Sequence, residues 1–299
     1  MLDILRLRVL DAVARTGSVT AAARELNYSQ PSVSHHLARL EAETGAVLIR
    51  RAGRGVRLTE AGRLLADRAA EIIGRLDSAS AELAAHVGMR AGRVRLAAFP
   101  SALGTFVPAA AVRLARAHPG LDLRLAEAEP PEALAMLRAG RADVAVTFHH
   151  GRQDLAEDGG VRLTPLFEDP TLLVTAGAAD PAARDAGNDV PAAYAGAKWI
   201  AGCDRCRGHL LDLCAAAGFE PAVAFTTDDY VAVQAMVAAG LGVTVLPALA
   251  LSAHRHPGVR VTALPGASRR VFAATYGEPP DPPATTALLE ALREAAAAR

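Results

Sequence analysis

Cysteine and histidine side chains are concentrated in one short segment, GCDRCRGH, where they could bind a metal or exchange electrons. Cys203, Cys206 and His209 follow one another at intervals of three, and Cys214 lies about a helical turn beyond. This spacing permits a metal site or a reversible disulfide. A structural zinc needs four ligands, and a free cysteine is often only a small buried hydrophobe, so plain packing is the alternative. The sequence therefore assigns no metal site, and no cofactor is expected.

Two arginines, Arg205 and Arg207, flank Cys206. Positive charge at these positions would lower the pKa of a thiol or hold the carboxylate of a ligand. A thiol enzyme that uses Cys203 or Cys206 is one alternative, but no histidine and carboxylate form a recognisable nucleophile motif with them. We therefore expect no catalytic residue and no enzyme activity, and the two cysteines become candidates for a sensing site.

The N-terminal segment predicts three short helices followed by a wing. Gly17 is expected to end the first helix, Thr20 to cap the second, and Ser29 to cap the third, with Pro31 in its first turn. Two helices joined by a tight turn form a helix-turn-helix. The segment VLIRRAGRGVRLT then predicts two short strands around a glycine-rich turn.

The third predicted helix presents polar side chains near its start. Gln30, Ser34 and His35 are expected on the outer face, while Val33, Leu37 and Leu40 point inward. Glutamine can pair with adenine through two hydrogen bonds, and serine or histidine can donate or accept at several base edges. Such residues in isolation would be a solvated polar face, but the turn, the cap and the wing around them favour contact with DNA.

Charge is balanced over the whole chain, with 32 basic and 32 acidic residues, but it is unevenly distributed. Residues 1–60 hold six carboxylates against nine arginines, at positions 6, 8, 15, 24, 39, 50, 51, 54 and 57. A positive segment in an otherwise negative chain is expected when only that segment meets phosphate. The wing arginines have no carboxylate among them, so the wing can lie along a phosphate backbone.

A long helix is predicted from Thr59 to about Val87, and its apolar residues recur at steps of four and three. This repeat is typical of a coiled-coil seam, which needs a partner helix. The alternative is a helix packed on its own domain, although the apolar stripe is narrower than that of a core helix. The predicted seam residues are Leu65, Ala69, Ile72, Leu76, Ala79 and Leu83.

From Arg93 onward, strands alternate with helices, which predicts a parallel sheet with right-handed crossovers. Two such sets in succession indicate two lobes around a cleft. The predicted domains are residues 1–58, a linker helix at 59–89, and a domain at 92–299. Within the last, one lobe takes about 92–164 and 268–299, and the other about 165–267.

Ligands of open α/β lobes bind beyond the carboxyl ends of the strands, where helix N-termini offer free N–H groups. Ser101 follows the first strand, where it could also be a plain N-cap. The candidate ligand-binding residues at these strand ends are Ser101, Ala102, Glu129, Pro130, Phe148, His149, Gly202, Cys203, Thr226, Thr227 and Pro247.

The segment GSVTAAARELNYSQPSVSHHLARLEAETGAVLIRRAGRGVRLTEAG resembles the DNA-binding segment of LysR-type transcriptional regulators. Ordered matches continue at HPGLDLRLAE, LRAGRADVAVTF and MVAAGLGVTVLP. The resemblance implies an N-terminal all-α winged helix-turn-helix with a long linker helix, and a C-terminal α/β two-lobed effector domain like periplasmic binding proteins. It also implies a ligand-responsive regulator that assembles through the linker helix into dimers and usually tetramers. Its partners would be double-stranded promoter DNA, a small effector and a second copy of the chain, with RNA polymerase as a further candidate.

Carried onto this sequence, the resemblance gives the base contacts to Gln30, Pro31, Ser34 and His35, and the wing contact to Arg54. Ser32, Arg50 and Arg51 complete the predicted DNA-binding set. The pair His35-His36 departs from the family, which often has arginine and glutamine there, and this leaves the base preference open.

The composition, 51% apolar and 21% charged, is typical of a globular protein. The first residues lack the continuous apolar core of a secretory signal, and no stretch approaches the ~18 apolar residues of a membrane span. We therefore expect a cytoplasmic protein that does not bind membranes. A transport-type binding protein is the remaining alternative, but it would require a secretory signal and would carry no DNA-binding module.

Overall fold

The computed structural model describes residues 2–52, 55–86, 92–151, 160–177 and 191–299, so the predicted wing residue Arg54 lies outside the described residues. The chain begins with three helices and a two-stranded wing. These elements are α1 (Ile4–Thr16), α2 (Val19–Glu25), α3 (Gln30–Thr44), β1 (Ile49–Ala52) and β2 (Gly55–Leu58).

The ends of the first three helices follow from local side chains. Gly17 ends α1 with a φ of 63°, a left-handed conformation that glycine adopts without steric cost. The hydroxyl of Ser18 accepts from the N–H of Ala21 and caps α2, so the prediction that Thr20 is the cap was wrong. Ser29 caps α3 as predicted, accepting from the N–H of Ser32. The helix-turn-helix is therefore positioned by short-range hydrogen bonds.

The wing is an antiparallel pair in which Arg50 lies opposite Arg57. The carboxylate of Glu41 on α3 accepts from the N–H of Leu48 at 2.7 Å, just before β1 begins. On the other strand, the N–H of Val56 donates to the carbonyl of Gly17 at 3.2 Å. The wing is thus attached to both α1 and α3.

The linker helix α4 spans Glu60–His86 and begins at a cap formed by Thr59, whose hydroxyl accepts from the N–H of Gly62 at 2.9 Å. Its first half packs in the core of the N-terminal domain: Ala69 is fully buried there and Leu65 packs against the same core. Leu65 and Ala69 were therefore wrongly assigned to a seam, because α1 covers this part of the helix.

The second half of α4 exposes the other predicted seam residues. Ile72 is 44% exposed, Leu76 45% and Leu83 65%, and Ala79 is also exposed. Large apolar side chains lose about 1.5 to 3 kcal/mol of stabilisation when they stay in water. This face is therefore suited to a partner helix.

The C-terminal domain is built on a six-stranded sheet in the order β4-β3-β5-β10-β6-β9. Within this sheet the prediction of parallel strands is correct for β3, β4 and β5, whereas β10 and β6 run antiparallel to their neighbours and β9 is antiparallel to β6. The strands are β3 (Arg93–Ala98), β4 (Asp122–Glu127), β5 (Val144–His150), β6 (Val161–Ala176), β9 (Thr244–Pro247) and β10 (Val259–Tyr276).

Two long strands join the lobes. In the first lobe, residues 268–276 of β10 pair with residues 161–170 of β6, and in the second lobe residues 259–263 pair with 172–176. The register shifts between Ala263 and Ser268, where the sequence predicted the lobe boundary. The second lobe also contains the parallel strands β7 (Lys198–Ala201) and β8 (Ala222–Thr226).

Helices cover both faces of these strands. In the first lobe, β3, β5 and β10 bury Val94, Val146 and Val271 against helices on one side. No helix in the described part of the chain is both long and apolar enough to cross a membrane. The remaining helices are α5 (Pro100–Leu103), α6 (Phe106–Ala117), α7 (Pro130–Arg138), α8 (Asp204–Ala216), α9 (Tyr230–Ala238), α10 (Ala248–Ala253) and α11 (Pro283–Ala297), with a short 3₁₀ helix at Ala192–Tyr194.

Replacing Leu76 by lysine should weaken self-association, because it places a charge on the exposed apolar face of α4. Sedimentation of the full chain over a concentration series measures the effect. Asp67→Asn is the matched control, since it changes the formal charge by the same amount at an exposed position on the opposite side of the helix. If Leu76→Lys and the control both keep the mass of the unaltered protein at every concentration, this face does not bind a second copy.

Candidate functional site

The outer face of α3 carries the residues predicted to contact bases. Gln30, Pro31, Ser34 and His35 are exposed, and Ser32 is half-buried beside its cap. The inward residues Val33, Leu37 and Leu40 are fully buried. The polar residues therefore form a free surface at the N-terminal end of α3, where the helix dipole also favours a phosphate.

The wing adds a basic surface beside this helix. Arg50, Arg51 and Arg57 are exposed, and within the described residues none of them is in an ion pair. Arg63 of α4 lines the same depression and was missed by sequence reasoning, although it lies only five residues beyond the wing. Unpaired guanidinium groups on one surface are suited to bind phosphate.

A cavity between the two lobes of the C-terminal domain is the second candidate site. It encloses about 750 Å³ of empty space, including its opening to solvent. Its apolar wall comes from both lobes. The apolar residues include Phe99 and Phe148 of the first lobe and Ile200, Leu210, Val233 and Leu246 of the second.

A buried ion pair forms the floor of this cavity. Arg269 donates to Asp169 at 2.9 Å and to the hydroxyl of Ser101 at 2.8 Å. The second oxygen of Asp169 accepts from the N–H of Leu249 at 3.0 Å. The guanidinium also lies over the rings of Phe99 and Phe148, 4.7 and 4.4 Å from their centroids. Ser101 is therefore not the plain N-cap that was the alternative, because its hydroxyl belongs to this network.

Glu129 lines the cavity from the start of α7, and its Oε2 is buried without a hydrogen-bond partner. Burial raises the pKa of this carboxyl, and the nearby charge of Asp228 raises it further. An unsatisfied buried oxygen costs about 1 to 3 kcal/mol, and more when the group is charged. Glu129 is thus a polar group that a ligand in the cavity could satisfy.

The thiols of Cys203 and Cys206 face each other in the same cavity, with their sulfurs 3.1 Å apart. The hydrogen bond between the two thiols lowers the pKa of Cys203, whereas the same contact and burial raise the pKa of Cys206. Gly202 makes this approach possible, since a Cβ there would lie 3.1 Å from that of Cys206. The pair therefore has one thiol that ionises more easily than a free cysteine.

Of the two roles expected for the flanking arginines, lowering the pKa of the Cys203 thiol was wrong, and binding a ligand carboxylate stays a prediction. Arg205 donates to the carbonyl of Phe148 at 3.0 Å, and Arg207 is exposed outside the cavity. Neither guanidinium is among the main causes of the pKa shift of Cys203, of which the largest is the hydrogen bond with Cys206. The Arg205 side chain lies against the first lobe, and its positive charge contributes to lowering the pKa of His150.

The described residues hold no group of three or more histidine, cysteine, aspartate or glutamate side chains arranged to bind a metal ion. Cys203, Cys206 and His209 are thus not brought together as a ligand set. The ring of His209 instead stacks on His150, with 4.0 Å between centroids, and its Nε2 lies 3.4 Å from the hydroxyl of Thr171. Burial lowers the pKa of His150 to about 3 and also lowers that of His209, so both imidazoles are neutral near pH 7.

Several residues predicted at the strand ends line the cavity, and others do not. Those that line it are Ser101, Glu129, Phe148, Gly202, Cys203, Thr227 and Pro247. Those that do not are Ala102, Pro130, His149 and Thr226. His149 packs against Phe272 on the opposite face of β5, so the next residue, His150, takes the cavity position. Thr226 is exposed at the end of β8, one residue before the lining begins.

Sequence reasoning missed the cavity residues whose position depends on contacts between segments far apart in the sequence. Arg269 and Thr171 reach it from the two long strands, and Asp228 and Tyr230 from the loop and helix after β8. The one available signal was the sequence DDY directly after the strand AVAFTT, at the position where a strand end was already predicted.

Two family models match this chain. Residues 4–63 match the model described as bacterial regulatory helix-turn-helix protein, lysR family. Residues 88–297 match the model described as LysR substrate binding domain. The first contains the helix-turn-helix and wing, and the second contains the cavity.

Curated relatives align with only part of this chain. The uncharacterized HTH-type transcriptional regulator YusT of Bacillus subtilis (strain 168) is 48% identical over 77 residues, which is 26% of this chain and 26% of that protein. The probable cat1 operon transcriptional activator of Acinetobacter lwoffii is 36% identical over 123 residues, 41% of this chain and 40% of that protein. The chain thus matches less than half the length of these relatives.

Solved structures align with almost the whole chain. Full-length CbnR complexed with its target DNA superposes with a TM-score of 0.63 at 22% identity, covering 98% of this chain and 100% of that one. A full-length OxyR variant from Pseudomonas aeruginosa gives a TM-score of 0.70 at 23% identity, covering 98% and 95%. At this identity the likeness shows a shared fold.

Proposed function

The chain belongs to the LysR family of bacterial regulators, and from this premise we propose that it is a ligand-responsive transcriptional regulator. It binds double-stranded promoter DNA through α3 and the wing, and it changes these contacts when a small molecule occupies the cavity between the lobes. The protein acts by binding and not by catalysis, and it works in the cytoplasm, where its promoter DNA lies.

The observation that carries this proposal is the free polar end of α3 next to the unpaired wing arginines. An α-helix fits the major groove, and Gln30 at its first position is able to pair with adenine. Arg50, Arg51 and Arg57 then lie where they can follow the adjacent backbone. Base contacts give sequence preference, while phosphate contacts give affinity and salt dependence.

Self-association supports DNA binding in this proposal. The exposed face of α4 formed by Ile72, Leu76, Ala79 and Leu83 is suited to a second copy, which would place two α3 helices on one operator. The assembled regulator is a dimer or tetramer that carries one ligand cavity in each chain, and RNA polymerase is a further partner on the promoter.

Gln30→Ala and Arg50→Ala should lose DNA affinity in different ways. Gln30→Ala should cost about 1 to 3 kcal/mol on the specific site and little on random DNA, because it removes a base contact. Arg50→Ala should weaken binding to both DNAs and reduce the salt slope by about 1, because it removes a phosphate contact. Fluorescence anisotropy over a salt series, with the region upstream of the gene and a random duplex, measures both.

Arg116→Ala is a control for the loss of positive charge, since Arg116 is an exposed arginine at the end of α6, outside the DNA-binding domain. It should leave binding unchanged. Identical losses for Gln30→Ala and Arg50→Ala on both DNAs would contradict the roles assigned to α3 and the wing. No binding of either DNA by the unaltered chain would contradict the proposed function itself.

A second candidate function is favoured by the 3.1 Å approach of Cys203 and Cys206, namely a regulator that responds to oxidation. With hydrogen peroxide as the oxidant, the two thiols would lose two protons and two electrons to form one S–S bond. The peroxide O–O bond would break and two water molecules would form. The Cys203 thiol has the lowered pKa, so it is the sulfur that attacks the oxidant.

Oxidation should form a disulfide in the unaltered protein and alter its DNA affinity. Mass spectrometry of alkylated protein after a peroxide titration detects the bond, and anisotropy detects the change in affinity. Cys203→Ser and Cys206→Ser should each abolish both effects. Cys214→Ala is the control, because Cys214 is buried elsewhere in the second lobe and its pKa is raised to about 11. If peroxide leaves the two thiols reduced, they are packing residues.

A further inference from the structure

We propose that the ligand of this cavity is a small organic cation, with an ammonium or amidinium group that binds Glu129 and an apolar body that lies against the aromatic and aliphatic wall. The inference rests on the proposed function, since it names the chemical class of ligand for the same site. It follows from the charges that the cavity leaves uncompensated.

Arg269, a positively charged side chain that lines the cavity, is already paired with a carboxylate. Arg269 is 2% exposed, and its charge is balanced by Asp169, which is fully buried at 2.9 Å. Its remaining described contacts are the Ser101 hydroxyl and the faces of two phenylalanine rings. Because Asp169 already neutralises Arg269, an anionic ligand at this guanidinium would add a second negative charge beside a buried carboxylate.

The side chains of His150 and His209 do not supply a second positive charge in the cavity. His150 and His209 are stacked and partly buried, and burial lowers the pKa of both, to about 3 for His150. Among the described residues that line the cavity, no other side chain carries positive charge. The cavity therefore offers an anion no free cationic partner.

Negative charge remains available on the opposite wall. Glu129 and Asp228 both line the cavity, and the charge of Asp228 adds to the effect of burial in raising the pKa of Glu129, against smaller opposing effects of Cys203 and Arg269. The Oε2 of Glu129 is buried without a partner. An N–H group of a cation would satisfy this oxygen and relieve the repulsion between the two carboxylates.

The rest of the wall is suited to an apolar body. Phe99, Ile200, Val233 and Leu246 line the cavity around the polar groups, with Tyr230 beside Asp228. An aromatic ring or a branched aliphatic chain would bury its surface here. The combination favours an organic cation with an apolar side.

The test uses the full chain and a matched set of probes: benzylamine and benzamidine as cations, benzyl alcohol as the neutral analogue, and benzoate as the anion. Butylamine, butanol and butyrate form a second set for a smaller apolar body. Titration calorimetry should show the amines or benzamidine binding about tenfold or more tightly than the alcohol, and benzoate or butyrate binding weakest. A cation bound by the cavity should also raise the melting temperature.

Glu129→Gln should weaken binding of the cation about tenfold and leave benzyl alcohol unchanged, because it removes the charge and keeps the shape. Glu132→Gln, an exposed position in the first turn of the same helix, is the control and should change neither. Tighter binding of benzoate than of benzylamine, equal effects of the two substitutions, or no binding of any amine or amidine would overturn the proposal. DNA affinity is measured separately, so a chain that binds DNA but no cation contradicts only this inference.

Discussion

The buried ion pair between Arg269 and Asp169 is the interaction on which the C-terminal domain depends. The two residues come from the long strands β10 and β6, which are the elements that connect the lobes. Their remaining hydrogen bonds reach Ser101 of α5 in the first lobe and the N–H of Leu249 in α10. Removal of one partner of such a pair costs about 3 to 5 kcal/mol, because the other charge stays buried. One network therefore sets how the strand ends, the cavity floor and two helices meet.

This constraint also determines the chemistry of the cavity. Because Asp169 neutralises Arg269, the carboxyl groups of Glu129 and Asp228 are the acidic groups among the described cavity-lining residues that have no paired arginine. The neutral imidazole pair and the hydrogen-bonded thiols then complete a pocket that contains polar atoms but no free cation among its described residues. A ligand that bridges the lobes shifts the protein from one conformation to another only if it makes different contacts in the two conformations. The effect on DNA would pass through the linker helix α4, whose Arg75 lies 5.5 Å from the ring of Tyr276 in the first lobe.

Local sequence signals predicted much of the fold and part of the site. The caps at Gly17 and Ser29 and the inward face of α3 depend on neighbouring residues, and they are found as expected. Prediction failed where contacts between residues far apart in the sequence determine the structure. Local periodicity does not reveal that α1 covers Leu65 and Ala69. It also does not reveal that Arg269 pairs with Asp169, which is 100 residues away in the sequence. His149 was chosen instead of His150 because β5 continues two residues beyond its predicted end, and side chains alternate along a strand.

The central claim, that the cavity and the DNA surface are coupled, is tested most directly by thermodynamic linkage. The DNA affinity of the full chain is measured by anisotropy with and without saturating benzylamine, and the benzylamine affinity by calorimetry with and without DNA. Coupling requires that each ligand change the affinity of the other by the same factor, typically about 5-fold to 150-fold. We expect benzylamine to change the DNA affinity, and DNA to change the benzylamine affinity, by the same factor, and we expect this factor to differ from one. If DNA affinity is unchanged while benzylamine fills the cavity, the two sites are independent and the account is wrong.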